Sequence, residues 1–400
     1  MTKLRALWLA AGLCAGAAPA LVAQADLRAI WGSSPTDIWV VGEAPAALHW
    51  DGQSWNEMPF GVSRPGTLYG VWASGPRDVF AVGDGGTVLH FDGGSWSRMS
   101  VPTDRDVVAV AGRAPNDVYA LAQSANDRDA PQLLRYDGKA WAAVPLPLPF
   151  RANALALVNG GREVLVAGYA YFDPQPSERR QAGIVARWSG GRWVTSGWDG
   201  EKVSDPVVGA AGWTEIVASG AAVLMFGTRQ DGTKAIATSS GGAWTLMPPA
   251  ASAMSRTQVG KVTFAGDATP VALYAGDGFA RFAGGRWTAV TGQASMMQLM
   301  GGQQPGATPE QQQQALAQRQ QLLAQMQANP MMMALRMQAF DMSNARGVWG
   351  TGARDFYVTT SAGRIVHVVN DDATIVYDAA CADPASAGTN PLCQALQAKQ

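Results

Sequence analysis

One unit recurs through this chain, and its length of about forty residues limits the folds open to it. Residues 68–102, LYGVWASGPRDVFAVGDGGTVLHFDGGSWSRMSVP, hold the cleanest copy. A small-apolar run is followed by a Gly/Pro/Asp turn and a second apolar run ending in Gly. A third run carrying His or Arg comes next, then a Gly-rich turn and a Trp. Four short strands per unit, repeated at this period, predict propeller blades and not an alternating βαβ sheet.

Aligned on the second strand, seven copies fall into register. They open at Asp37, Asp78, Asp117, Glu163, Ala222, Pro270 and Asp355, the copies at Ala222 and Pro270 being degenerate. The preceding turns (SSPTD, SGPRD, RAPND, TGARD) carry the residues that tight connections favour. The third strand supplies a column of His49, His90, Arg135, Arg187, Thr238, Arg281 and His367. Six residues after each of the first six stands a tryptophan: Trp55, Trp96, Trp141, Trp193, Trp244 and Trp287. The seventh copy lacks it. Asp-Gly or Gly-Gly pairs between the two columns are strong hairpin signals. The expected fold is therefore all-β, a seven-bladed propeller of four-stranded blades over residues 26–380. The first-to-last order of strands puts all long connections on one face: residues 123–132, 169–183, 196–212 and the insertion discussed below. Binding residues concentrate on such loops when a rigid scaffold carries them.

All three histidines fall in one repeat column, so their blades hold them apart around a ring. A metal-binding reading is geometrically poor; a polar group supporting the turn, for which Arg substitutes, is the simpler one. The tryptophans read as blade-to-blade packing. The carboxylates that open the second strands are turn residues first. Asp173, Glu178 and Asp231 are scattered acids with no partner at glycosidase spacing, and no catalytic residue, metal site or cofactor is assigned.

The ends and the insertion have a different character. Lys3 and Arg5 precede an apolar run to Val22, and Ala23-Gln24-Ala25 fits a small-x-small cleavage site, so residues 1–25 read as a signal peptide and the product as periplasmic or extracellular. Without Lys3 and Arg5, 28 basic side chains face 31 acidic ones. That near balance gives no reason to expect nucleic acid, and no later apolar run reaches the roughly 20 residues of a membrane span. Only Cys381 and Cys393 remain after cleavage. They are expected to pair in the tail, residues 381–400, as an oxidising compartment permits. Residues 293–343 interrupt the repeat between copies six and seven. Thr308-Pro309-Glu310-Gln311 reads as a helix start, with a helix to Ala328 and a second from Met331 to Phe340. Nine methionines lie between Met296 and Met342. Thioethers suit Cu(I), but they also make adaptable contact surfaces. Met331, Met332, Met333, Met337 and Phe340 are the candidate partner-binding residues.

The units IWGSSPTDIWVVG…LHWDGQSW and VWASGPRDVFAVGDGGTVLHFDGGSW resemble exported bacterial repeat propellers. They are similar to photosystem II assembly and stability factors and, more loosely, to Asp-box sialidase-type repeats. HFDGGSW is one residue shorter than an Asp-box, and no Arg triad with paired acid and nucleophile can be assigned. The resemblance is specific for fold, and with no catalytic site assigned the expected function is a non-catalytic, monomeric binding or assembly scaffold with a protein partner. A glycan-binding or glycoside-hydrolase-like role is the alternative. No strand is left over to close the ring, so closure is expected to rely on packing.

Overall fold

Each of the seven repeats forms a four-stranded antiparallel sheet whose strands lie in sequence order. The computed structural model describes residues 26–43, 46–62, 65–123, 131–175, 178–248, 259–265, 269–274, 278–290, 344–352, 354–370, 372–381 and 390–397, with isolated positions between 313 and 324. Blades 1 to 7 occupy residues 27–59, 68–98, 107–144, 151–197, 212–246, 259–290 and 345–378. The chain is a seven-bladed β-propeller. First strands contact first strands around the whole ring, blade 7 touching blade 1, so these strands line a central channel.

The ring closes by packing of blade 7 against blade 1, and among the described residues no strand is exchanged between the two blades. Leu27, Ile30 and Ile38 of blade 1 share a core with Tyr357 and Ile365 of blade 7, and the Arg346 guanidinium reaches Asp26 at 3.1 Å.

The third-strand column pairs in register with the third residue of each second strand: His49 with Trp39, His90 with Phe80, Arg135 with Tyr119, His367 with Tyr357, and likewise elsewhere. That register corrects blade 6. Its second strand is Thr269–Tyr274 and opens one residue before Pro270, since Val271 pairs with Arg281. The tryptophan column opens or nearly opens each fourth strand and packs across to the preceding blade. Trp96 meets Trp39 of blade 1 at 5.9 Å and Phe60 at 5.3 Å. Trp141 meets Phe80 of blade 2 at 6.2 Å, and the Trp287 indole donates to the Pro248 carbonyl after blade 5 at 3.0 Å.

A second set of rings locks the inner strands. Trp72 of blade 2 lies over Gly112 of blade 3, and Trp349 of blade 7 over Gly32 of blade 1. Trp31 instead meets Ala73, donating its indole N–H to that carbonyl at 3.0 Å. A Cβ at Gly112 would lie 2.6 Å from the Trp72 ring. Gly112→Ala should therefore cost about 1–3 kcal/mol, the range for overpacking. Ala73→Gly meets no such clash and should cost the backbone entropy and one buried methyl, about 1–2 kcal/mol. Urea midpoints compare the two; equal shifts would mean that the tryptophan contact is not what excludes a side chain at Gly112.

Blade 4 departs from the expected long loop. Its second and third strands, Glu163–Gln175 and Glu178–Ser189, continue as one hairpin well past their neighbours. Tyr169, Tyr171 and Phe172 favour the extended backbone, so residues 169–175 and 178–183 are strand where length variation alone suggested coil. Of the insertion, Gln313, Leu316, Ala317, Gln320 and Ala324 are described, and all are helical and exposed. They fall within the helix expected from Gln311 to Ala328. Among the described residues no helix is long and apolar enough to cross a membrane.

Candidate functional site: the channel mouth

In every blade the first strand slips register by one residue near its start. The extra residue is Arg28, Tyr69, Val108, Asn153, Thr214, Gly260 and Arg346 in blades 1 to 7. A bulge re-aims its side chain and bends the strand. Because first strands line the channel, the seven bulges encircle its mouth, on the face that also bears the second-to-third turns and the connections between blades.

In blades 1, 2, 4 and 5 the second-strand residue beside the bulge is glycine, and there a first-strand-side carbonyl lies too close for a side chain. A Cβ at Gly42 would sit 1.9 Å from the Asp26 carbonyl, and one at Gly168 1.9 Å from that of Arg151. Backbone cannot move aside as a side chain can.

Polar groups at this rim bridge neighbouring blades. Asp26 lies 3.0 Å from Arg28 and 3.1 Å from Arg346. Arg28 also reaches Glu43 at 2.7 Å and lies 5.4 Å from the centre of the Tyr69 ring. The Tyr69 hydroxyl donates to Asp84 at 2.5 Å, and the Thr67 amide donates to the other oxygen at 2.7 Å. The bond to Asp84, helped by burial, pushes the Tyr69 hydroxyl up to about 12. Burial alone would raise the Asp84 carboxyl, but the Tyr69 and Thr67 donors outweigh it and hold the group below its usual value. Gln123 donates to Asn153 at 3.0 Å, and Asn153 donates to the Trp213 carbonyl at 2.9 Å. Lys261 of blade 6 pairs with Glu215 of blade 5 at 2.5 Å. Asp26, Asp84 and Glu215 are thus each held by a cation or by donors, an arrangement suited to fixing the rim and not to passing protons.

Beside the rim, Phe172 at the end of the blade-4 hairpin stacks on Trp198, with centroids 4.3 Å apart and planes 14° from parallel. Tyr171 on the same hairpin is 38% exposed.

The residues singled out from sequence fall elsewhere. His49, His90 and His367 each bond the Asp twelve positions earlier, at 2.8, 2.7 and 2.7 Å, and stack on or tilt against an aromatic of the second strand. Ser33, Ser74 and Thr351 donate to the same carboxylates. These networks sit inside separate blades at the opposite face, and they are structural. Among the described residues no three metal-ligating side chains cluster. Trp96, Trp141, Trp244 and Trp287 are buried, while Trp55 and Trp193 are half-buried. Asp231 accepts from the Thr233 amide and hydroxyl in a turn. The Asp173 and Glu178 side chains, Met331, Met332, Met333, Met337 and Phe340, and residues 1–25 lie outside the described residues. Cys381 and Cys393 form a disulfide. Sequence reasoning missed the rim, although Arg28, Tyr69, Val108 and Arg346 all stand three positions before the Trp31, Trp72, Ala111 and Trp349 column. A column that varies beside columns that repeat was the available signal.

No family model matches the chain, and no curated protein matches it by sequence. Solved structures match its fold. YCF48 bound to a D1 peptide superposes with a TM-score of 0.54 at 12% identity, over 87% of this chain and 93% of that one. YCF48 from Cyanidioschyzon merolae gives 0.54 at 13%, over 88% and 97%. An ancestral GH74 enzyme gives 0.56 at 9%, over 88% of this chain but 46% of its own. At such identities the likeness is one of fold.

Proposed function

We propose that this chain is an exported, non-catalytic scaffold, acting as a monomer, that binds a protein partner on its channel-mouth face. One observation carries the reading. Seven backbone-equivalent bulges carry six different residue types, Arg occurring twice and Gly260 offering no side chain, on a frame that repeats closely everywhere else. Rigid backbone with non-repeating side chains at the rim suits recognition of one asymmetric surface and not mere ring packing. The blade-4 hairpin shares that face, and the chain leaves blade 6 at Val290 and enters blade 7 at Ala345 on the same side. A peptide-bound propeller of the same fold, YCF48, adds support by analogy of fold alone. A glycosidase would need two carboxylates free to act across a sugar; at the rim Asp26 and Glu215 are both ion-paired.

Capture from a native envelope fraction tests this. Replacing residues 293–343 by a short Gly/Ser linker should leave the melting temperature within a few degrees, because loop length itself costs little, and should abolish capture of the partner. Val108→Arg with Thr214→Arg at the rim should weaken the same capture at least tenfold. Thr36→Ala with Arg77→Ala, on the opposite face, should not. Loss of capture on the opposite face with the rim variants unaffected would overturn the assignment.

A further inference from the structure

The seventh repeat lacks its tryptophan, and the core at that junction draws on the C-terminal tail. Ala373 pairs with Val368 where Trp55 pairs with Trp50 in blade 1. It is fully buried in a core that joins Val271, Leu273 and Phe279 of blade 6 to Phe356 and Val368 of blade 7. Leu392 belongs to that core, with Leu396 packed against it. Both come from the C-terminal helix Pro391–Gln397. A leucine from the tail thus contributes to the core of the junction to which a tryptophan contributes in the other blades.

The helix has little means of staying there unaided. It has seven residues, well below the roughly 12–15 that hold a helix in water. Asn390 caps its first turn through the Leu392 amide at 3.0 Å. What ties it to the ring is the bond between Cys393, fully buried on the helix, and Cys381, half-buried just after the last strand of blade 7.

We propose that the disulfide is a redox latch: while it is closed, the C-terminal helix supplies the missing seventh tryptophan and seals blade 6 to blade 7, and its reduction opens that junction. A small dithiol is the reductant. Its thiolate attacks the more exposed sulfur of Cys381 and the Cys381–Cys393 bond breaks, with Cys393 leaving as the thiolate. The second thiol then displaces Cys381, so that the dithiol becomes a cyclic disulfide and the protein holds two thiols. The junction so loosened is the one from which residues 293–343 depart, so the latch would act on the anchorage of that insertion.

Hydrogen exchange on the full chain, oxidised against dithiol-treated, tests the latch. Peptides covering Thr269–Tyr274, Gly278–Ala283 and Asp372–Asp378 should exchange at least tenfold faster after reduction, with blades 2 and 3 unchanged. Leu392→Ala should reproduce the loss with the disulfide intact. Cys381→Ser with Cys393→Ser should reproduce it without reductant, and adding Ala373→Trp to that pair should restore protection. Release of the helix alone, with blades 6 and 7 still protected, would overturn the proposal. So would a loss of protection spread evenly over all seven blades.

Discussion

Trp96→Ala should lower the stability of the propeller by about 3–5 kcal/mol, the range for removing a buried aromatic where the surroundings cannot collapse. The ring is 6% exposed and stands between Trp39, Phe60 and Phe91 at centroid distances of 5.9, 5.3 and 5.3 Å. These partners belong to two blades and the segment between them, so relaxation at the cavity would have to move one sheet against another. Trp193→Ala, at the same repeat position but half-buried, should cost roughly half as much, because apolar area lost scales the effect. Urea unfolding gives both values. Equal costs would show that the column acts through strand pairing and not through contact between blades. Trp96→Phe should be milder than Trp287→Phe. The Trp96 indole N–H has no hydrogen-bond partner, whereas the Trp287 N–H donates to Pro248.

Asp37→Ala should cost about 3 kcal/mol or more, against about 1 kcal/mol for Asp78→Ala. Asp37 accepts from the Trp39 indole at 2.9 Å, from His49 at 2.8 Å and from Ser33. Its removal leaves the fully buried Trp39 N–H without an acceptor. In blade 2 the aromatic is Phe80, which has no donor to orphan, and the Asp78 side chain is more open, 21% exposed against 6%. The acid limb carries the same signature. Burial would raise the Asp37 carboxyl, but the bonds from His49, Ser33 and Trp39 outweigh it and lower it. A lowered group stabilises the fold fully above its unfolded value, near 3.9. That contribution disappears as the pH falls through the lower folded value. Stability should therefore drop below about pH 4, and Asp37→Asn should flatten that slope. An unchanged slope in the Asn variant would place the acid sensitivity elsewhere.

The repeat by itself determined the architecture. Four apolar runs per unit, turn residues at fixed places and two columns at constant spacing leave one way to bury every face, and seven in-phase copies gave seven blades. Those signals are local, since strand period, turn chemistry and hairpin length are all read within a dozen residues. The His and Asp columns were legible for the same reason, the bonded partners standing twelve residues apart at Asp37 and His49, Asp78 and His90, and Asp355 and His367. The blade-4 hairpin was misread because a paired extension and a long loop share the same length, and only hydrogen bonding separates them. Closure, the mouth and the latch needed the ring. Arg346 and Asp26 lie 320 residues apart in the chain, and Leu392 joins the core that Ala373 shares with blade 6 only because that blade stands across from blade 7. No spacing rule reaches such pairs, because the geometry that joins them comes from packing sheets around a channel and not from pairing strands within one.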